Sequence, residues 1–135
     1  MPIYRPLDEA ERAAVQAGVA RAERMAGVER LSAADLQALY DVLLSEAEAA
    51  TAAIEAVGYA FGEALLAHGG LEWALAVDDA YGDEISVALT GVQLGCHPLS
   101  MIANRLKDGE AWDLADLAER TVGRLRQLAT EAARS

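Results

Sequence analysis

The hydrophobic period of this chain changes at Gly69-Gly70. Upstream, Leu36, Leu39, Leu43, Ala47, Ala50, Ile54, Val57 and Phe61 recur at steps of three and four, which lays them along one stripe of a helix. Downstream, Trp73, Leu75 and Val77 alternate with Glu72, Ala74, Ala76 and Asp78. After a turn around Ala80 to Gly82, Ile85, Val87 and Leu89 alternate with Glu84, Ser86 and Ala88. A period of two is that of a strand with one face covered. Runs of helix and then strand, not interleaved, predict an α+β fold.

Local signals place the other elements. Asp8 followed by Glu11 reads as a helix start, and Ala14, Val15, Val19, Ala22 and Met25 share a face until Gly27. Ser32 with Asp35 forms a second capping box, flanked by Leu31 and Leu36 as a hydrophobic staple. The stripe that follows predicts one long helix, ended by Gly69 and Gly70. Thr90 and Gly91 allow a turn into a third strand carrying Val92, Leu94 and Cys96 on the apolar side. Pro98 suits the first position of a short helix that Gly109 closes, and Asp113 with Asp116 opens the last helix. The expected fold is one α+β domain over residues 1–135, helical over 7–69, a β-meander over 71–97 and helical again over 98–133. Its helices cover one face of a three-stranded antiparallel meander.

Charge constrains the partners. No lysine or arginine lies between Arg30 and Arg105, a stretch holding eleven carboxylates from Asp35 to Glu84. The flanks balance, so the formal charge of -11 belongs to the middle of the chain. Such a field disfavours nucleic acid and anionic membrane and steers basic proteins inward. Asp41, Glu48 and Glu55 recur every seven residues on the outer face of the expected long helix, and Asp78, Asp79, Asp83 and Glu84 crowd the hairpin turn. A solvated acidic face is the commoner meaning of such a pattern. The absence of interspersed bases, which would gain helix pairs, argues for a docking surface instead. Arg120, Arg124 and Arg126 form the one local basic patch, expected to pair with the chain's own acids or to stay solvated.

Chemistry-bearing residues are sparse. Cys96 and His97 are neighbours, yet successive side chains of an extended segment point to opposite faces, so they do not form a thiolate–imidazole pair. Cys96 shares the parity of the apolar set and reads as a buried thiol. His68, Cys96 and His97 lack the short paired spacing of a zinc site, and the hairpin acids lack the offsets of a calcium loop. No catalytic residue, metal site or cofactor is assigned. A lone cysteine, no apolar signal run at the N-terminus and no apolar run of membrane-spanning length predict a soluble, cytoplasmic protein.

Gly58, Phe61-Gly62, Leu65, Gly70-Leu71-Glu72-Trp73, Tyr81-Gly82, Pro98-Leu99-Ser100-Met101-Ile102, Arg105 and Gly109-Glu110 together resemble the bacterial family called domain of unknown function 3806. The resemblance runs over residues 58–110 and departs at His97, where the family favours an aromatic before the proline. It implies the fold and assigns no activity. The functional expectation is a non-enzymatic protein-interaction module, immunity-like or inhibitor-like, that binds a basic partner protein through the carboxylates named above. The alternative is a small-molecule or metal-binding protein, conceivably an enzyme, with a pocket near His97, Ser100 and Arg105. A homodimer formed through the first helix is a third expectation.

Overall fold

The computed structural model describes residues 2–134. Along the chain it sets β1 (Ile3–Pro6), α1 (Glu9–Ala26), α2 (Ala33–Ser45), α3 (Thr51–Leu66), β2 (Leu71–Val77), β3 (Glu84–Leu89), β4 (Gly95–Cys96), α4 (Pro98–Lys107) and α5 (Leu114–Ala133). The fold is α+β and helix-rich. Its antiparallel sheet has four strands in the order β1-β2-β3-β4, not three. No helix among the described residues is long and apolar enough to cross a membrane.

Helix starts follow local chemistry. Asp8 accepts from the Glu11 N–H at 2.7 Å while the Glu11 carboxylate accepts from the Asp8 N–H at 2.8 Å, and Ser32 and Asp35 repeat the arrangement for α2. Each box satisfies two backbone donors that the first turn of a helix leaves unpaired. Asp113 accepts from the Asp116 N–H at 3.0 Å and opens α5.

The long helix of the sequence pattern is two helices. Between Ser45 and Thr51 the helix is interrupted: Glu46 lies at φ -86° and ψ 135°, the chain bends at Ala47 and Glu48, and Ala50 is again extended. Here the stripe offers only Ala47 and Ala50, both exposed, so continuing the helix would bury little. Ser45 Oγ meanwhile donates to the Val42 carbonyl at 2.7 Å, an alternative backbone bond that competes with helix extension.

The break frees α3 to become the central helix. Every residue from Ala56 to Gly62 is buried, so this segment is covered all round rather than along a stripe. α1, α2, α4, α5 and the sheet surround it. Glycines set the spacing at two contacts: a Cβ at Gly62 would sit 2.1 Å from the Trp73 ring, and one at Gly58 would sit 2.9 Å from the Leu99 backbone. Trp73 thereby lies against α3, its indole N–H donating to Glu63 at 2.7 Å. Tyr59 packs on it with ring centroids 6.0 Å apart.

The sheet is not one-sided. Leu71, Trp73 and Leu75 pair with Leu89, Val87 and Ile85 on the helix-facing side, yet Ala74, Ala76, Ser86 and Ala88 on the other side are buried too. Their cover comes from β1, which the sequence pattern does not reveal because Ile3-Tyr4-Arg5-Pro6 carries no apolar alternation. Tyr4 stands opposite Ala76, and its ring reaches Gly95, where a Cβ would sit 2.8 Å from the ring. The Gln93 side chain then closes the free edge of β1, accepting from the Tyr4 N–H at 2.7 Å and donating to the Tyr4 carbonyl at 3.2 Å. The sheet must therefore curl until the β3–β4 turn meets β1, and small residues line its inner curve. Curling also protects the edge strand from foreign pairing. The third strand expected around Val92 to Cys96 shrinks to Gly95–Cys96, since Val92 and Gln93 belong to that closing turn and Val92 is exposed.

Candidate functional site

Among the described residues no ion pair joins an arginine or lysine to any of the eleven central carboxylates. The bases are engaged elsewhere. Arg5 pairs with Glu11 at 3.1 Å and Arg120 with Asp116 at 2.8 Å, both within the charge-balanced flanks. Arg12 donates to the Leu7 carbonyl at 2.6 Å, and Arg126 donates to the His68 and Gly69 carbonyls at 2.8 Å each, capping the end of α3. The basic patch on α5 thus serves backbone acceptors and its own helix, and the negative field of the middle segment faces water.

The candidate acids do not form one stripe. Asp41 lies on α2, Glu48 in the α2–α3 connection and Glu55 on α3, so the helix break dissolves their seven-residue regularity while leaving all three exposed. Asp41 accepts from Gln37 at 3.0 Å. At the hairpin, Asp79 and Asp83 are exposed, whereas Asp78 organises the turn by accepting from the N–H groups of Ala80 at 2.8 Å and Tyr81 at 3.3 Å. Glu84 turns inward.

Glu84 is the centre of a polar cluster that the sequence does not announce. Ser100, in the first turn of α4, donates across both Glu84 carboxylate oxygens at 3.0 and 2.9 Å. His97, the residue before α4, brings Nδ1 to 3.5 Å from Glu84 Oε2 and 2.6 Å from Ser86 Oγ. Ser86 is fully buried and donates its one proton to the Glu84 carbonyl at 3.0 Å. The short contact to His97 therefore takes its proton from Nδ1, a tautomer the nearby carboxylate favours. This is not a serine-nucleophile triad, because serine and carboxylate meet the same imidazole nitrogen. The geometry orients His97 toward a cavity of about 210 Å³ lined by Pro2, Ala76, Asp78, Tyr81, Gly82 and Glu84.

Of the alternative pocket residues, His97 and Ser100 converge on Glu84 and Arg105 does not. Arg105 sits at the other end of α4, its guanidinium 4.7 Å from the Trp112 ring centroid and Nη1 donating to the Met101 carbonyl at 3.1 Å. Its Nε is a buried donor without a partner, a cost the aromatic contact offsets. Among the described residues no ion pair joins Arg105 to a hairpin acid. Its neighbourhood is structural: Gln37 bridges the Trp112 carbonyl and the Leu114 N–H at 2.8 Å each, and Tyr40 donates to the Glu110 carbonyl at 2.5 Å. No group of three or more histidine, cysteine or acidic side chains among the described residues is placed to hold a metal ion.

Cys96 faces the helices opposite Val87, and burial pushes its thiol from 9.0 up to about 12. At pH 8 a thiol reagent should label the folded chain about a thousandfold more slowly than the urea-unfolded chain, as the smaller thiolate fraction requires. Equal rates would show an accessible, ordinary thiol. Since the folded pKa lies above the unfolded one, the thiol's contribution to stability is complete below about pH 9 and is lost as pH rises toward 12.

Residues 33–117, from the start of α2 into the first turn of α5, match the family model described as Domain of unknown function (DUF3806). The chain belongs to this family. No curated protein and no solved structure matches the chain. The DUF3806 match takes in every candidate site residue from Asp41 to Arg105 and leaves β1, α1 and most of α5 outside it. Within the DUF3806 segment, Gly58, Gly62 and Trp73 set the central packing, and His97 joins the Glu84 cluster through its ring nitrogen.

Proposed function

We propose that this chain is a non-enzymatic interaction module of the cytoplasm that binds a basic protein partner, in the manner of an immunity protein or inhibitor. The observation that carries the reading is the separation of its charges: arginines cap helices and pair within the flanks, while among the described residues no central carboxylate pairs with an arginine or lysine. A protein that needed acids only for solubility would gain from mixing signs along each helix. Uncompensated acids keep a long-range attraction for a cationic surface and disfavour phosphate backbones and anionic lipid.

Capture on the immobilised full chain, followed by rate measurement against each protein retained, tests this. The captured set should be basic, and association rates should fall steeply between low salt and 0.15 M, where screening acts over about 8 Å. Retained proteins that are not basic, or association rates indifferent to salt, would remove the proposal.

A further inference from the structure

α1 and α5 both pack against α3 and scarcely touch each other, so a groove opens between them over the second half of α3. Leu31 and Leu36, at the start of α2, close one end of it, and the cavity there measures about 710 Å³. A second cavity of about 530 Å³ lies between α1 and β2, over Val15 and Trp73. Val19 and Glu63 line both, so the two are stretches of one groove along the face of α1 that carries Arg12, Val15, Val19 and Glu23. That face runs about 16 Å, roughly three turns of a helix.

The groove has an apolar floor and an acidic rim. Val15, Val19, Ala64, Ala118 and Trp73 supply the floor. Glu23, Glu63, Glu72 and Glu119 stand around it, and among the described residues none of the four joins an ion pair. Of the two arginines on the groove, Arg12 is turned back onto the Leu7 carbonyl and only Arg30 opposes these acids. An apolar segment flanked by cationic side chains complements this arrangement. A second copy of the chain does not, because each copy carries a formal charge of -11 and would bring acids against acids. An extended peptide fits no better. Helices form most of the groove, and their backbone groups are already paired, so an extended backbone laid on them would bury donors and acceptors without partners. A helix satisfies its own backbone and can set a ridge of side chains between two others.

We infer that this groove seats an amphipathic helix of the basic partner, its apolar ridge over Val19 and Ala64 and its basic flanks against Glu23 and Glu119. The inference rests on the basic-partner reading and deepens it: the dispersed acids of the middle segment draw the partner in, and the groove holds it.

Titration of the 15N-labelled full chain with a blocked model helix tests it, a peptide of about four turns with leucine at every third or fourth position and lysine elsewhere. The amide signals of Val19, Glu23, Ala64, Ala67 and Glu119 should shift. They should stay in place with a scrambled peptide of the same composition, which keeps the charge and loses the ridge, and with a version carrying glutamate for lysine. Ala67→Trp and Ala115→Trp add bulk to the groove from exposed positions, where the fold has room for them, and each should weaken binding about tenfold or more. Glu119→Gln should weaken it about twofold to fivefold. Val42→Ala, exposed on α2 outside the groove, should leave it unchanged. Equal binding of the scrambled peptide, or undiminished binding by both groove-filling variants, would overturn the inference. Equal groove shifts with dodecylamine would give the groove to small amphipathic amines, and groove shifts on raising the chain's own concentration would give it to a second copy; either overturns the inference. Basic proteins captured as well by Ala67→Trp and Ala115→Trp as by the parent chain would overturn the helix seat and spare the basic-partner reading. Groove binding of the model helix, with no basic protein captured, would support the seat and overturn that reading.

Discussion

Replacing Phe61 by alanine should remove about 3–5 kcal/mol of unfolding free energy, the cost of emptying a fully buried aromatic position. Phe61 is inaccessible to solvent at the middle of α3, within the cluster that draws Leu39, Tyr40 and Leu43 from α2, Val87 from β3, Ile102 from α4 and Val122 from α5. Its neighbours cannot easily collapse into the space. α3 is held at a fixed distance from the sheet by the Gly62–Trp73 contact and from α4 by Gly58 against the Leu99 backbone. Rigid walls leave a cavity, and residual cavity volume adds to the lost transfer energy. Urea unfolding followed through Trp73 and Trp112 fluorescence would measure the loss as a lower midpoint at unchanged slope. A loss below about 1 kcal/mol would mean that α3 is not the central element.

The same helix shows how far the sequence could be read. Its neighbours were legible where local chemistry decides: the Asp8 and Ser32 capping boxes and the Asp113 cap depend on residues three apart, and the shared face of Trp73 and Leu75, or of Ile85 and Val87, follows from alternation. Periodicity misled at Ala47 and Ala50, because a methyl group satisfies an apolar stripe in the sequence without burying enough to extend a helix. β1 was hidden for another reason. Tyr4 finds its partners at Ala76, Gln93 and Gly95, and no local pattern reports a contact so distant in sequence. The Glu84 cluster fell into the same blind spot. Glu84 read as one of four hairpin acids, yet its strand register directs it to Ser100 and His97, which α4 brings from the far side of β4. The one available signal was parity: Glu84 and Ser86 occupy the same face of β3, so the two polar side chains were implied to point the same way. Burial of the alanines on that face, by contrast, required knowing that the sheet curls.

Neutralising the freely exposed acids should slow partner association by about tenfold or more, within the range that electrostatic steering spans. The variant combines Asp41→Asn, Glu48→Gln, Glu55→Gln, Asp79→Asn and Asp83→Asn, and leaves Asp78 and Glu84 in place because they shape the turn and the His97 cluster. Each substituted side chain is exposed, and an amide oxygen at position 41 still accepts from Gln37, so the fold has no reason to change. Stability should hold or rise at low salt, since unmixed like charges repel one another in the compact state. The effect belongs on the association rate rather than the dissociation rate, because rim charges act during approach and are largely rehydrated in the complex. Stopped-flow or surface-binding kinetics at two salt concentrations separate the two rates. The variant should associate slowly at both, with most of the salt dependence gone. If dissociation quickens while association stays as fast as in the parent chain, these carboxylates act as short-range contacts. The charge separation that motivates the proposed function would then have no part in finding the partner.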